Sequence, residues 1–219
     1  MILSVVTDIE GTTTPISFVH RVLFPYAREN LADFIDTNPS YPALAEIAEP
    51  KRETLLGWMN RDEKITALKA IQGEIWKQGY ERGELKGEIY PDVPPALRRW
   101  SRAGVRLFIY SSGSVVAQKL LFGHTPEGDL TPLFQAYFDT NVGSKRESAS
   151  YSMIARAVGG RADEVLFLSD VEAELDAAAV AGLSTCQLVR PQDETRPGTR
   201  HQAALDFNDV SSRFGLPRG

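Results

Sequence analysis

The sequence lacks the features that membrane-spanning, disulfide-stabilised and nucleic-acid-binding proteins need. Its 219 residues include a single cysteine, Cys186, so neither an intrachain disulfide nor a thiolate metal cluster can form. No apolar run approaches the roughly 18 residues of a membrane span, and the N-terminal segment lacks the basic region of a signal sequence. The formal net charge is -5, whereas a nucleic-acid surface would be strongly basic. We therefore expect a cytoplasmic protein that binds neither membranes nor nucleic acid.

The composition that is present is typical of a globular protein. Hydrophobic residues make up 42% and charged residues 24% of the chain, so it can bury a core without a disulfide. The length fits either one domain with a sizeable insertion or two small domains. No long apolar docking face is evident, so we expect a monomer.

Short apolar runs alternate with helical segments at the start of the chain and again after residue 90. The runs predict strands at residues 2–7, 105–110, 136–138, 164–168 and 184–189. The segments between and after them predict helices at residues 94–103, 115–122, 147–158, 172–181 and 203–214. This repeated order predicts an α/β fold, a doubly wound parallel sheet with right-handed crossovers and helices on both faces.

The stretch from residue 20 to residue 88 has a different pattern, with no convincing strand. Apolar side chains at helical spacing predict helices at residues 25–34, 41–58 and 61–85. Asn60 and Glu63 have the spacing of a capping box at the start of the third helix. We therefore predict an all-helical cap at residues 17–88, inserted into a core formed by residues 1–16 and 89–219.

Acidic side chains follow the first and fourth predicted strands. Asp8 and Glu10 lie two residues apart, which in an extended segment directs both carboxylates to the same side. Asp170 follows the fourth strand. Ligands of open parallel sheets bind at the carboxyl ends of the strands, and carboxylate oxygens are ligands that Mg²⁺ prefers. The three residues therefore predict a site for one Mg²⁺.

Groups that suit an anion follow the second and third predicted strands. Ser111 and Ser112 precede a helix, whose N-terminal N–H groups can bind an anion together with the hydroxyls. Lys145 precedes the next helix and offers a compact positive charge for a phosphate. Each feature alone is more often an ordinary turn, helix cap or surface residue. Their occurrence at four successive strand ends favours a phosphate site.

These residues also resemble a known family. Residues 8–13 read Asp-Ile-Glu-Gly-Thr-Thr and residues 111–113 read Ser-Ser-Gly. With Lys145 and Asp170 they resemble the four motifs of the haloacid dehalogenase superfamily. The longer run Asp-Ile-Glu-Gly-Thr-Thr-Thr-Pro-Ile resembles the enolase-phosphatase family of the methionine salvage pathway in particular. Glu10 departs from the aspartate that the superfamily usually has there. The resemblance spans residues 2–191.

The resemblance implies a Mg²⁺-dependent enzyme that acts on a small-molecule phosphate. The substrate would be 2,3-diketo-5-methylthiopentyl-1-phosphate, which is enolised and then dephosphorylated to an acireductone. Asp8 would be the nucleophile, and Glu10 the acid and base of the phosphatase step and a candidate base for enolisation. Asp8, Glu10 and Asp170 would hold the metal, while Lys145, Ser111 and Ser112 would hold the phosphoryl oxygens.

Three other functions stay open on the sequence. A plain phosphatase of the same superfamily would act on a small sugar or diol phosphate. A hydrolytic dehalogenase would use an aspartate nucleophile without a divalent metal, and an interaction module would bind metal without catalysis. Glu10 and the long match around Asp8 disfavour the plain phosphatase, and the filled catalytic positions disfavour the interaction module.

Overall fold

The computed structural model describes residues 1–63 and 65–218. The chain divides into two compact units, one comprising Met1–Ile16 with Gly87–Gly219 and the other comprising Ser17–Lys86. That these units serve as a catalytic core and its cap stays a prediction. Among the described residues, no helix combines the length and the apolar character that crossing a membrane requires.

The smaller unit is helical and has a hydrophobic core of its own. Buried side chains of this core include Leu31, Phe34, Leu55, Leu68 and Ile71. A π-helical turn spans Val19–Leu23. The helices, beginning with one that crosses the boundary between Ile16 and Ser17, are α1 (Ile16–Phe18), α2 (Phe24–Glu29), α3 (Leu31–Thr37), α4 (Pro42–Ala45), α5 (Lys51–Asn60) and α6 (Thr66–Glu81).

Two of the predicted helices are interrupted, each for a local reason. The predicted helix at residues 25–34 is divided between α2 and α3 at Asn30, whose Nδ2 donates to the Tyr26 carbonyl at 2.9 Å. Such side-chain bonds compete with the helical ladder. The predicted helix at residues 41–58 is divided between α4 and α5, because Pro50 has no N–H to donate in a helix interior.

The predicted capping box at Asn60 is wrong. Helix α6 begins at Thr66, and its N-cap residue is Ile65, which makes no side-chain capping bond. Asn60 instead ends α5, and its Oδ1 accepts a hydrogen bond from Arg28 Nη2 at 2.7 Å. The motif's spacing was present, but the asparagine is used for contact between α2 and α5.

The larger unit is built on a parallel sheet. Its strands are β1 (Ser4–Thr7), β2 (Arg106–Tyr110), β3 (Phe134–Phe138), β4 (Val165–Ser169), β5 (Ser184–Leu188) and β6 (Gln202–Ala204). Within the described residues these six strands lie in the order β3-β2-β1-β4-β5-β6. The doubly wound parallel sheet is therefore confirmed. Because β1 lies between β2 and β4, the loops after these three strands are neighbours.

Helices cover this sheet and close its core. They are α7 (Val93–Arg102), α8 (Val115–Gly123), α9 (Ser148–Val158), α10 (Glu172–Val180) and α11 (Phe207–Phe214), with short 3-10 turns at Thr131–Leu133, Ala162–Glu164 and Pro191–Asp193. Val6, Phe108 and Phe167 of the central strands pack with Tyr151 and Ile154 of α9. The central strands are buried on both faces, which explains their nearly continuous apolar sequences.

The last strand departs from the prediction. The sequence predicts a helix at residues 203–214, whereas Gln202–Ala204 forms β6 and only Phe207–Phe214 is helical. Pairing of Cys186 with Gln202 places β6 parallel to β5. The strand has no β-branched or aromatic residue, so its conformation depends on this pairing and not on local preference.

Candidate active site

Asp8 directly follows β1, at the carboxyl edge of the sheet. Its backbone N–H donates to the Leu168 carbonyl of β4 at 2.9 Å, which extends the ladder between the two strands by one residue. Its side chain is 8% exposed. The chain then turns tightly, and the N–H groups of residues 12–14 all donate to the Ile9 carbonyl. The nucleophile predicted from the sequence is therefore held in a closely packed loop.

Gly11 allows this turn to pass directly beside Asp170. Its φ of +70° lies in the left-handed region that favours glycine. A Cβ atom at this position would lie 2.4 Å from Asp170 Oδ2. A glycine is thus required for the loops after β1 and β4 to come into contact.

Lys145 lies between two carboxylates. Its Nζ is 2.6 Å from Asp8 Oδ1 and 2.6 Å from Glu174 Oε2, and its side chain is 10% exposed. Burial disfavours the charged amine, but the two carboxylates outweigh it and raise the pKa of Lys145 above its usual value. The Tyr151 hydroxyl donates to the Lys145 carbonyl at 2.8 Å, which fixes the backbone of this residue.

Asp170 and Glu174 are carboxylates in an electrostatically unfavourable place. Burial and the charge of Asp8 raise the pKa of each to about 7. For Glu174, the opposing influences include Lys145 and the Ser169 hydroxyl, which donates to Oε2 at 3.0 Å. Glu174 lies in the first turn of α10, a place typical of an ordinary helix acid, but the structure brings it into contact with Lys145.

The serine loop after β2 lies at the same edge. The Ser111 N–H donates to the Phe138 carbonyl at 3.1 Å, so it is occupied by the backbone of β3. Its hydroxyl oxygen accepts from the Gly113 N–H at 3.2 Å. Ser112 is exposed, and Ser114 caps α8 by accepting from the Ala117 N–H. Of the two Ser111 donors, the hydroxyl hydrogen is therefore the one that the predicted phosphate binding could use.

The three predicted metal residues lie on two neighbouring loops, Asp8 and Glu10 after β1 and Asp170 after β4. Among the described residues, no three side chains of the His, Cys, Asp or Glu type are arranged as a metal site. Asp8 and Asp170 nevertheless suit a divalent cation, because their carboxylates repel each other. Asp170 Oδ1 is also buried without a hydrogen-bond partner in the described part of the chain. Glu10 is half-buried on the same loop, where its backbone bridges to Thr14.

Two of the three histidines and the single cysteine lie in structural roles. His124 Nδ1 lies 2.9 Å from the Leu120 carbonyl, and His201 lies between the Thr185 hydroxyl and the Asp176 carboxylate. Cys186 is fully buried in β5, and burial raises the pKa of its thiol to about 12. A thiolate mechanism is not supported by this environment.

The sequence and the fold are similar to those of known proteins. The model of the haloacid dehalogenase-like hydrolases matches residues 2–182. Enolase-phosphatase E1 of Gluconobacter oxydans is 54% identical over 99% of this chain and 99% of that protein. The protein of the same name from Granulibacter bethesdensis is 53% identical over 98% of this chain and 97% of its own. The crystal structure of the UTR4 protein of Saccharomyces cerevisiae is 38% identical, with a TM-score of 0.83, covering 94% of this chain and 98% of that one.

Proposed function

The chain belongs to the haloacid dehalogenase-like hydrolases and to their enolase-phosphatase E1 family, and from this premise we propose how this phosphatase acts. The substrate is 2,3-diketo-5-methylthiopentyl-1-phosphate, and the product is the acireductone 1,2-dihydroxy-3-keto-5-methylthiopentene. The enzyme enolises the diketone and then removes the phosphate, with one Mg²⁺ per subunit, in methionine salvage. The supporting observation is the buried Asp8 carboxylate at the end of β1, ion-paired to Lys145 at 2.6 Å.

In the proposed phosphatase step, Asp8 attacks phosphorus while the bond from phosphorus to the substrate oxygen breaks. Glu10 gives its proton to the departing alcohol oxygen. Glu10 then takes a proton from a water molecule, whose oxygen displaces Asp8 from phosphorus and releases inorganic phosphate. A carboxylate nucleophile thus divides one difficult displacement into two easier ones.

Positively charged and hydroxyl groups of the chain hold the phosphoryl group. Lys145 is charged at neutral pH because its pKa is raised, so it can bind an equatorial phosphoryl oxygen while it orients Asp8. The Ser111 hydroxyl and Ser112 supply further donors at the same edge of the sheet. Donors fixed in advance lower the barrier because no reorganisation is needed as charge develops.

Asp8 and Asp170 would hold the Mg²⁺, and Glu10 is the proposed third contributor. The ion, when bound, offsets the negative charge that repels the incoming phosphate and polarises a substrate carbonyl. The buried, unpartnered Asp170 Oδ1 is the observation that supports this assignment. The described carboxylates do not form a cluster of three metal ligands. Glu10 would therefore bind the ion through its backbone carbonyl oxygen, or through its carboxylate after the side chain moves.

In the proposed enolisation, Glu10 takes a proton from the substrate carbon next to a carbonyl, and the oxygen of that carbonyl takes a proton from solvent to complete the enol. The proton on Glu10 is then the one given to the departing alcohol oxygen, and the proton that Glu10 later takes from water returns to solvent. The Glu10 side chain is one methylene longer than the usual aspartate of the superfamily, which adds about 1 Å of reach, enough to alter near-attack geometry. The helical unit Ser17–Lys86 is proposed to act as the cap that selects the substrate. We further propose a cytoplasmic monomer.

A substrate comparison tests this proposal. The pure protein with Mg²⁺ is offered the diketone phosphate, a panel of small sugar and diol phosphates, and a 2-haloacid. We expect an enol absorbance and phosphate release from the diketone phosphate at the highest kcat/KM. Equal or better turnover of a sugar or diol phosphate would favour the plain phosphatase, and halide release in excess chelator would favour a dehalogenase.

A further inference from the structure

A fully buried arginine follows β5 and is paired with an aspartate. Arg190 is 1% exposed, and its Nη1 donates to both carboxylate oxygens of Asp92, at 2.9 and 3.1 Å. Its guanidinium also lies 4.1 Å from the centre of the Tyr90 ring. A buried charge with a bidentate partner and an aromatic face holds a fixed position.

The remaining nitrogens of this guanidinium bind the turn that follows Asp8. We call this turn, residues 9–14, the nucleophile loop. Nη2 and Nε donate to the Thr12 carbonyl at 2.7 and 3.2 Å. The Thr12 hydroxyl in turn accepts from the Asp170 backbone N–H at 3.1 Å. A single buried threonine thus connects Arg190 with the residue that follows β4. We call the set Asp92, Arg190 and Thr12 the loop clamp.

A second contact holds the same loop one residue further on. The Tyr90 N–H donates to the Thr13 carbonyl at 3.0 Å. The Tyr90 hydroxyl binds Asp193, whose Oδ2 also accepts from the Ile16 N–H at 2.8 Å. The nucleophile loop is therefore held at Thr12 by Arg190, which follows β5, and at Thr13 by Tyr90, which precedes α7.

We propose that Arg190 is a positioning residue for the Asp170 carboxylate. The loop clamp fixes the Thr12 backbone, and the Thr12 hydroxyl then fixes the backbone of Asp170. This role rests on the proposed function, in which Asp170 binds the divalent cation.

The space around Asp170 makes such positioning effective. The Gly11 backbone leaves no room for a Cβ beside Asp170 Oδ2, and Oδ1 has no hydrogen-bond partner within the described residues. The carboxylate is thus oriented by its own backbone and by the loop that packs against it. A small shift of Thr12 would displace both the Asp170 backbone and the loop beside its carboxylate. Loss of such a supporting contact typically weakens metal affinity 10- to 100-fold.

The test is equilibrium Mg²⁺ binding to the full chain, measured by isothermal titration calorimetry, together with activity as a function of Mg²⁺. We expect Thr12→Val to raise the Mg²⁺ Kd about 10- to 100-fold, with activity recovering at high Mg²⁺. Thr12→Ser keeps the hydroxyl, so its Kd should return close to that of the wild type. Arg190→Lys should raise the Mg²⁺ Kd to a similar extent. Combining Arg190→Lys with Thr12→Val should raise the Kd little further, because both substitutions act through the same contact with Asp170.

Arg106→Lys is the matched control. Arg106 also donates to two backbone carbonyls, those of Val158 and Gly159. It is the first residue of β2 and therefore lies at the amino ends of the strands, away from the site. The Arg106→Lys variant should have a lower unfolding free energy than the wild type and the same Mg²⁺ Kd. If the wild type binds Mg²⁺ and folded Thr12→Val binds it equally well, the clamp is overturned while the proposed function stands. A wild type that binds no Mg²⁺ overturns both.

Discussion

Lys145 is the residue whose surroundings say most about the chemistry. Three carboxylates, those of Asp8, Asp170 and Glu174, surround its amine or interact with it electrostatically. When all four groups are ionised, an excess of two negative charges remains, which a divalent cation would offset. Burial, together with this negative charge, raises the pKa of Asp170 and of Glu174 to about 7.

Replacing Lys145 tests the phosphate-binding role. Lys145→Met keeps much of the side-chain volume but removes the charge that faces Asp8 and that is proposed to bind the phosphoryl group. We expect kcat/KM for phosphate release to fall about 100-fold or more. Lys119→Met is the control, since the Lys119 amine lies 5.6 Å from the Tyr137 ring, outside the site. Near-normal activity of Lys145→Met would remove Lys145 from the mechanism.

Glu10 can be tested for its two proposed tasks separately. Glu10→Gln keeps the length of the side chain and abolishes its basicity, so enol formation should slow about 100-fold or more. Glu10→Asp restores a carboxylate at shorter reach and should impair enolisation more than phosphate release. Both rates are followed in one assay, by enol absorbance and by inorganic phosphate. A Glu10→Gln enzyme that enolises at the normal rate would exclude Glu10 as the base.

At the scale of elements, the site depends on close contact between the loop after β1 and the loop after β4. The order β2-β1-β4 makes these loops neighbours, and Gly11 sets how closely they approach. The ladder itself extends into the site, because the Asp8 N–H bonds to the Leu168 carbonyl of β4. Secondary structure thus fixes the backbone of Asp8, the proposed nucleophile, while Lys145 contacts its side chain.

The variant Gly11→Ala should perturb this contact. Its Cβ would overlap Asp170 Oδ2 at 2.4 Å, in addition to the strain of a positive φ. We expect an unfolding free energy lowered by more than the roughly 1–2 kcal/mol typical of the strain alone, and a weakened Mg²⁺ affinity.

Gly215→Ala is the control for strain. Gly215 ends α11 at a φ of +66°, and, apart from the glycine itself and its chain neighbours, no heavy atom of the described residues lies within 4 Å of its Cβ position. It should show the strain without the change in Mg²⁺ binding. Equal effects of the two variants, measured by chemical denaturation and calorimetry, would mean that the loop contact at Gly11 is unimportant.

Much of this arrangement could be predicted from the sequence, and the parts of the sheet and of the site that could not depend on contacts between distant segments. Buried parallel strands are continuous apolar runs, so the residues that follow them, including Asp8 and Lys145, could be identified. The strand β6 and the clamp residue Arg190 depend on contacts between segments far apart in the chain. No local pattern distinguishes such an arginine from an exposed one, and none distinguishes Glu174 from an ordinary helix acid.

At the scale of the whole molecule, the net charge of -5 gives no indication of the proposed phosphate site. The positive groups that matter are local, above all Lys145 among its carboxylates. Any ion that binds the folded protein and not the unfolded chain stabilises it by mass action. Because the carboxylates around Lys145 leave an excess of negative charge, we expect a cation bound there to raise the unfolding free energy of the protein.

Adding Mg²⁺ should stabilise the fold. At a concentration of 100 times its Kd, we expect the unfolding free energy to rise by about 2.7 kcal/mol, with the thermal midpoint raised accordingly. Excess chelator should abolish the increase, and Asp170→Asn should show little of it. Thermal unfolding followed by circular dichroism measures both. An equal increase in Asp170→Asn would place the ion elsewhere.

The most direct test of the proposed reaction is a single-turnover experiment with enzyme in excess over the diketone phosphate. Rapid mixing with Mg²⁺ is followed simultaneously by ultraviolet absorbance of the enol and by a phosphate sensor. We expect the enol signal to rise before phosphate appears, and both to vanish in Asp8→Asn or in chelator. Phosphate release with no preceding enol signal would contradict the enolase-phosphatase mechanism.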